Sequence, residues 1–247
     1  MDKTFLIFTT SRSGHHALVN WMWKQLPGTV THHNDSRQSV IEDTIVGNKK
    51  YICTHDGYER YDIHTFEQFD LEILDTYDIY SKVENPVPVL FVRDVMNWVS
   101  SLIKKEGEFF DRLYSPYTDG IEGFEKSIME IYKGHLMEIA GWTNFTTRIP
   151  GAIHVGYNNW FSDVNYRRKL AQEMGFEFTD LGFKEVTTFG DASSFDGDRF
   201  NGRAHEMQVL HRYEHLDSNC VDRIRKDTVL MNLIEITKEK IGPMPWV

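Results

Sequence analysis

Short apolar runs alternate with stretches of helical spacing along most of the chain. Thr4-Phe5-Leu6-Ile7-Phe8 has the length and composition of a buried strand. Ala17, Leu18, Trp21, Met22 and Leu26 then recur at helical spacing, and Pro27-Gly28 ends that helix. Thr29–His33 reads as a short strand, Asn34–Lys50 as a polar loop and Tyr51–Thr54 as a third strand. From Tyr58 to Glu84 the apolar positions Phe66, Phe69, Leu71 and Leu74 fit a helix plus a loop. Val87–Val92 is continuously apolar, the pattern of a central parallel strand covered on both faces. Val95, Trp98, Val99 and Leu102 start another helix, and Lys104–Leu113 with the Tyr114–Tyr117 turn is expected as a mobile segment over the site. Gly123–Trp142 reads as a helix, Ala152–Tyr157 as a strand, Asp163–Met174 as a helix ended by Gly175, and Leu216–Lys240 as one long helix ended by Gly242-Pro243.

Strands alternating with helices predict an α/β fold. The expected form is a single domain over residues 1–247, with a central parallel sheet of four to five strands flanked by helices. A chain of 247 residues can bury one good core. A formal net charge of −10 argues against a nucleic-acid binder, which needs a basic face. Cys53 and Cys220 are too few for a disulfide scaffold and form no metal motif. No stretch approaches 18 apolar residues and no signal segment stands at the start. A cytoplasmic protein without membrane insertion is therefore expected. His32-His33 cannot easily share a metal ion, because adjacent strand residues point to opposite faces. His15-His16 meet the same objection less strongly, since they lie at a turn.

The chemistry begins at Thr9-Thr10-Ser11-Arg12-Ser13-Gly14-His15-His16, between the first strand and the first helix. A strand, a tight turn and a helix start present free backbone N–H groups and the positive end of the helix dipole, which suits a phosphate or sulfate. Gly14 allows close backbone approach and Arg12 adds a fixed cation. The triphosphate-binding pattern G-x-x-x-x-G-K-[ST] fails: Thr9 stands where its first Gly belongs, and His15-His16 stand where Lys-Ser/Thr belong. The lysine for β/γ-phosphates and the Mg²⁺-ligating hydroxyl are both missing, so a donor that needs no metal is expected.

Arg12-Ser13-Gly14-His15-His16 after a strand resembles the 5′-phosphosulfate loop of the sulfotransferases that use 3′-phosphoadenosine 5′-phosphosulfate (PAPS). A second motif supports the resemblance. Arg93 follows the apolar strand and Ser101 stands eight residues later, similar to the family's 3′-phosphate signature, with Val95 in place of the usual Pro. A strand-end Arg and a Ser two helical turns on can share a phosphate. His55 resembles the catalytic base at the end of the family's second core strand, although Cys53-Thr54 replaces the usual Lys-Thr before it. Some members use a Glu, and Glu59 is the nearest substitute. Gly202 with Arg203 (or Arg199) resembles the late loop that closes over the 3′-phosphate. Ala17 occupies a position that is Trp in many members, where it stacks on adenine.

The resemblance implies a P-loop-like sulfotransferase fold. It implies transfer of a sulfuryl group from PAPS to a hydroxyl or amine of a small-molecule or glycan acceptor, leaving PAP, without a metal. Arg12, Ser13, Gly14, His15, His16, Arg93, Ser101, Gly202 and Arg203 would bind the donor, and His55 and Arg12 would act in catalysis. The alternatives are a small-molecule kinase of the P-loop class and a non-catalytic nucleotide-binding module. The Arg167-Arg168-Lys169 triplet reads as a solvated helix face.

Overall fold

The computed structural model describes residues 3–10, 12–33, 60–68, 83, 85–114, 121–140, 151–187 and 192–242. Five strands form one sheet in the order β2-β3-β1-β4-β5. They are β1 (Lys3–Thr10), β2 (Thr29–His33), β3 (Arg60–Gln68), β4 (Pro86–Val92) and β5 (Ile153–Gly156). Every neighbouring pair is parallel. Seven helices accompany them among the described residues: α1 (His15–Trp23), α2 (Val95–Tyr114), α3 (Ile121–Ala140), α4 (Tyr157–Ser162), α5 (Val164–Met174), α6 (Ser218–Lys226) and α7 (Thr228–Ile241).

The apolar strands are explained by two cores, one on each face of the sheet. Phe5, Ile7, Val89, Phe91, Ile153 and Val155 pack against Leu18, Val19 and Met22 of α1, Trp160 of α4 and Leu170 and Met174 of α5. Leu6, Phe8, Leu90 and Val92 pack against Val95, Met96 and Val99 of α2, Leu136 and Ile139 of α3 and Leu230, Leu233 and Ile234 of α7. Successive strand residues point to opposite faces, so a strand covered on both sides must be apolar throughout. The chain runs from β1 outward to β2 and β3 on one side, then crosses to β4 and β5 on the other. The order therefore reverses between β1 and β4. In such sheets the ligand crevice lies outside the strands' C-terminal ends at that reversal, where Arg12 and Arg93 follow their strands.

Four sequence expectations are corrected. Arg60–Gln68, read within a helix plus a loop, is a strand paired along the whole of β1, Lys3 to Tyr61 through Thr10 to Gln68. The Phe66/Phe69 spacing suggested a helix, whereas residue-by-residue pairing with β1 and β2 makes the segment a strand. Lys104–Leu113 is helix, a continuation of α2 to Tyr114. The single C-terminal helix is two, because Asp227 leaves helical geometry (ψ 95°) and its side chain accepts from Leu230 N to cap α7. Arg167 is buried, not solvated: it makes a two-pronged pair with Asp180 at 2.8 Å, donates to the Trp160 carbonyl and lies 3.5 Å over the Phe183 ring. Residues 34–50, the strand read at 51–54, the turn at 115–117, and His55 and Glu59 lie outside the described residues. No described helix is long and apolar enough to cross a membrane.

Candidate functional site

The turn between β1 and α1 is held from within. Ser13 is fully buried, with its hydroxyl 2.7 Å from Thr9 Oγ1 and 3.3 Å from His15 Nδ1. Arg12 (φ 60°) and Gly14 (φ 91°) both adopt left-handed backbone. At Gly14 a Cβ would lie 2.7 Å from Tyr157 Cε2, so the glycine is required by the ring beside it as well as by φ. Arg12 Nη2 donates to Ser194 Oγ at 3.0 Å. His15 is buried, while the His16 ring lies 4.1 Å from the His15 ring and 6.3 Å from His32 at the end of β2.

The second cluster is built at the start of α2. Asp94 caps the helix by accepting from Asn97 N at 3.0 Å. Arg93 is 2% exposed. Its Nη1 donates to Ser101 Oγ at 3.0 Å and its Nη2 to the Val209 carbonyl at 2.6 Å. Tyr157 lies 4.8 Å from the guanidinium, and Tyr132 Oη holds the Arg93 carbonyl at 2.7 Å. Arg93 and Ser101, expected on one side, do meet.

A third cation joins them that the sequence reading missed. Arg212, on the short 3-10 turn Arg212–His215, is 7% exposed. Its Nη1 approaches Ser101 Oγ at 3.4 Å and its Nη2 donates to Ser193 Oγ at 2.7 Å. Burial, then the charge of Arg93, lower its pKa to about 10. The Nε atoms of Arg93 and Arg212 are buried without a hydrogen-bond partner among the described residues. Two desolvated cations with spare donors fit an anion, and a phosphate is the group that such forks take most readily.

The segment carrying Arg212 is strapped to α2 by side chains that do carry a sequence signal. Asn97 Nδ2 donates to the Leu210 carbonyl, Asn97 Oδ1 accepts from Tyr213 N, and Ser100 Oγ donates to the Arg212 carbonyl. Asn97, Ser100 and Ser101 are a buried polar stripe at i, i+3 and i+4 of a helix whose other buried positions are apolar. Such a stripe demands a partner segment, although it does not say which.

One cleft of about 110 Å³ is lined by both clusters: Arg12, Gly14, His15 and His16 from the turn, Arg93 and Arg212 from the second site. Tyr157, Trp160, Phe161 and Phe183 give it an aromatic wall. Ser101 stands behind Arg93 and Arg212. Gly202 and Arg203 do not line the cleft; Arg203 is exposed and pairs with Glu206 at 3.2 Å. Arg199 is likewise exposed and pairs with Asp196 at 2.9 Å. The late loop reaches the cleft through Ser193 and Ser194 instead. On the β3 side the parallel partner of β1 ends at Gln68, level with Thr10 before the Arg12 turn. No group of three or more metal-ligating side chains occurs among the described residues.

No family model matches the sequence, and no curated protein does. Among solved structures the chain is similar to mouse sulfotransferase SULT7A1, crystallised in complex with PAP. The TM-score is 0.53 at 15% identity, over 95% of this chain and 88% of that one. At that identity the likeness is one of architecture: the chain has a sulfotransferase fold.

Proposed function

We propose that the protein transfers a sulfuryl group from PAPS to a hydroxyl or amine of a small-molecule or glycan acceptor. The observation that carries this reading is the pair of buried arginines, Arg93 and Arg212, sharing the Ser101 hydroxyl in the same cleft as the Arg12 turn. A mononucleotide with one phosphate has no use for two separate cationic clusters. A donor with a 3′-phosphate and a 5′-phosphosulfate uses both. The fold shared with a PAP-bound sulfotransferase supports the same donor.

In this reading Arg12 and the first-turn N–H groups of α1 hold the 5′-phosphosulfate and stabilise charge on the leaving phosphate. Arg93 and Arg212, oriented by Ser101, hold the 3′-phosphate. Arg212 takes the part that the sequence assigned to Arg203 with Gly202. The aromatic wall of Tyr157, Phe161 and Phe183 receives the adenine, which explains how Ala17 can stand where others have Trp. As the acceptor oxygen or nitrogen bonds sulfur, the sulfur–oxygen bond to the 5′-phosphate breaks and the acceptor proton passes to a base. His55 is that base by resemblance, with Glu59 as the alternative. His16, which lines the cleft beside His15, is assigned contact with the sulfuryl group. No metal takes part.

Calorimetric titration with PAP, AMP and ATP–Mg²⁺ tests this. The expected result is PAP bound at least tenfold tighter than AMP, the worth of about one charge-assisted hydrogen bond, with the preference abolished in Arg93→Ala. Binding of ATP–Mg²⁺ without PAP would overturn it in favour of a kinase.

A further inference from the structure

Two buried arginines side by side need a counter-charge. Among the described residues, Asp196 is the carboxylate within ion-pair distance of Arg212, with Oδ2 3.5 Å from Nη2. It is held there by its own loop. Phe195 N and Asp196 N donate to Ser193 Oγ at 3.3 and 3.1 Å, and Ser193 and Gly197 exchange backbone hydrogen bonds at 3.3 and 3.0 Å. The other carboxylate oxygen, Oδ1, accepts from Arg199 at 2.9 Å. Asp196 therefore does not depend on Arg212 for its position.

Arg212 has neutral partners besides Asp196, and one of them, Ser193 Oγ, also donates to Asp196 Oδ2 at 3.4 Å. Arg212 Nη2 donates to Ser193 Oγ at 2.7 Å, its Nη1 reaches Ser101 Oγ at 3.4 Å, and its guanidinium lies 4.8 Å from the Phe195 ring. Neutral partners already orient it. What Asp196 adds at 3.5 Å is a long hydrogen bond and, above all, charge. We propose that Asp196 is a built-in competitor anion: it opposes the nucleotide's 3′-phosphate at Arg212, lowers affinity for that group, and so speeds departure of the product.

The inference rests on the sulfotransferase reading and deepens it. AMP has no 3′-phosphate and makes no claim on Arg212, so Asp196 leaves it untouched. PAP must share Arg212 with a fixed negative charge. A merely structural Asp196 gives the opposite sign, because loosening the loop would misplace Arg212 and weaken PAP.

The test is calorimetry and stopped-flow release with PAP and AMP on the full chain. Asp196→Asn, near-isosteric and uncharged, is expected to bind PAP about tenfold tighter and release it correspondingly more slowly, with AMP affinity unchanged. Asp196→Ser removes the charge by another route and is expected to do the same, whereas Asp196→Glu keeps wild-type affinity. Arg199→Gln is expected to change PAP affinity by no more than about twofold, since exposed pairs contribute little. Unchanged or weaker PAP binding in Asp196→Asn overturns the proposal. Failure of the wild type to prefer PAP over AMP is a separate result: it removes the 3′-phosphate site itself and the donor assignment with it.

Discussion

The two arginine clusters of the cleft are built in opposite ways. The Arg12 turn is local: its strand, glycine and helix start are contiguous, and its internal bonds join residues two and four positions apart. The Arg93 cluster is assembled. Arg93, Ser101, Val209 and Arg212 come from segments more than a hundred residues apart, and α2 holds them together through Asn97, Ser100 and Ser101. The first is fixed by backbone geometry and the second by tertiary packing. Perturbing the turn should therefore cost stability or affect every nucleotide. Perturbing the assembled cluster should remove selectivity for a 3′-phosphate.

The largest effect is expected where the two regions touch. Gly14→Ala forces a Cβ into the Tyr157 ring at 2.7 Å from a left-handed backbone. Tyr157 also stacks on Arg93. A loss of roughly 2–4 kcal/mol of stability follows from overpacking together with the unfavourable φ, read as the shift in urea midpoint. A variant as stable as the wild type would show that the ring yields freely, and that the turn and the Arg93 cluster are not mechanically joined.

The second effect is a pH dependence on the side of the sheet that supports Arg93. His135 of α3 is 1% exposed, with neither ring nitrogen hydrogen-bonded among the described residues, and burial lowers its pKa to about 4. The unfolded chain takes up a proton near the ordinary value of 6.5, while the folded chain refuses it until about pH 4. Stability from this group is thus complete above pH 6.5 and drains away as pH falls to about 4, by roughly 3 kcal/mol at 1.36 kcal/mol per unit. His135→Leu should flatten that limb of the stability–pH curve. A limb unchanged in the variant would assign acid sensitivity elsewhere.

The same contrast explains what the sequence revealed. β1, β4 and α1 were legible because a strand buried on both faces has few alternatives to a continuous apolar run, and a turn motif keeps its parts adjacent. Arg93 and Ser101 were legible because one helix sets their separation. Arg212 was not, because its partners Ser101 and Ser193 lie 111 and 19 residues away in sequence and no local motif joins them to it. Gly202 and Arg203 drew attention by composition, yet their loop turns them outward. β3 was misread because Phe66 and Phe69 satisfy helical spacing, and only its parallel partner β1 decides the matter. Arg167 was misread because a basic triplet looks solvated until Asp180 and Phe183 close over one member.

Third in size are the arginines, which give the most direct way to separate the clusters. Arg12→Ala should weaken PAP and AMP alike, by about tenfold, because both carry a 5′-phosphate. Arg93→Ala and Arg212→Ala should weaken PAP by about ten- to a hundredfold and leave AMP nearly unchanged. If Arg12→Ala discriminated between the two nucleotides, or Arg212→Ala did not, the assignment of one phosphate to each cluster would be wrong.

The smallest effects come from two serines of similar burial and different employment. Ser13 is 0% exposed and Ser101 1%. The Ser13 hydroxyl bonds Thr9 Oγ1 and His15 Nδ1, groups internal to the turn. The Ser101 hydroxyl donates to the Asn97 carbonyl and accepts from both Arg93 and Arg212. Removing either loses hydrogen bonds whose net worth is about 1 kcal/mol, so magnitude alone cannot tell them apart. The readout can. Ser13→Ala should lower the urea midpoint and leave the ratio of PAP to AMP affinity intact, since the loop's backbone N–H groups remain. Ser101→Ala should lower that ratio by about fivefold, because two cations lose the hydroxyl that sets their spacing. An unchanged ratio in Ser101→Ala would mean that the Val209 carbonyl and Ser193 hold the two arginines without it. The eight-residue separation of Arg93 and Ser101 would then be a matter of helix packing rather than of phosphate recognition.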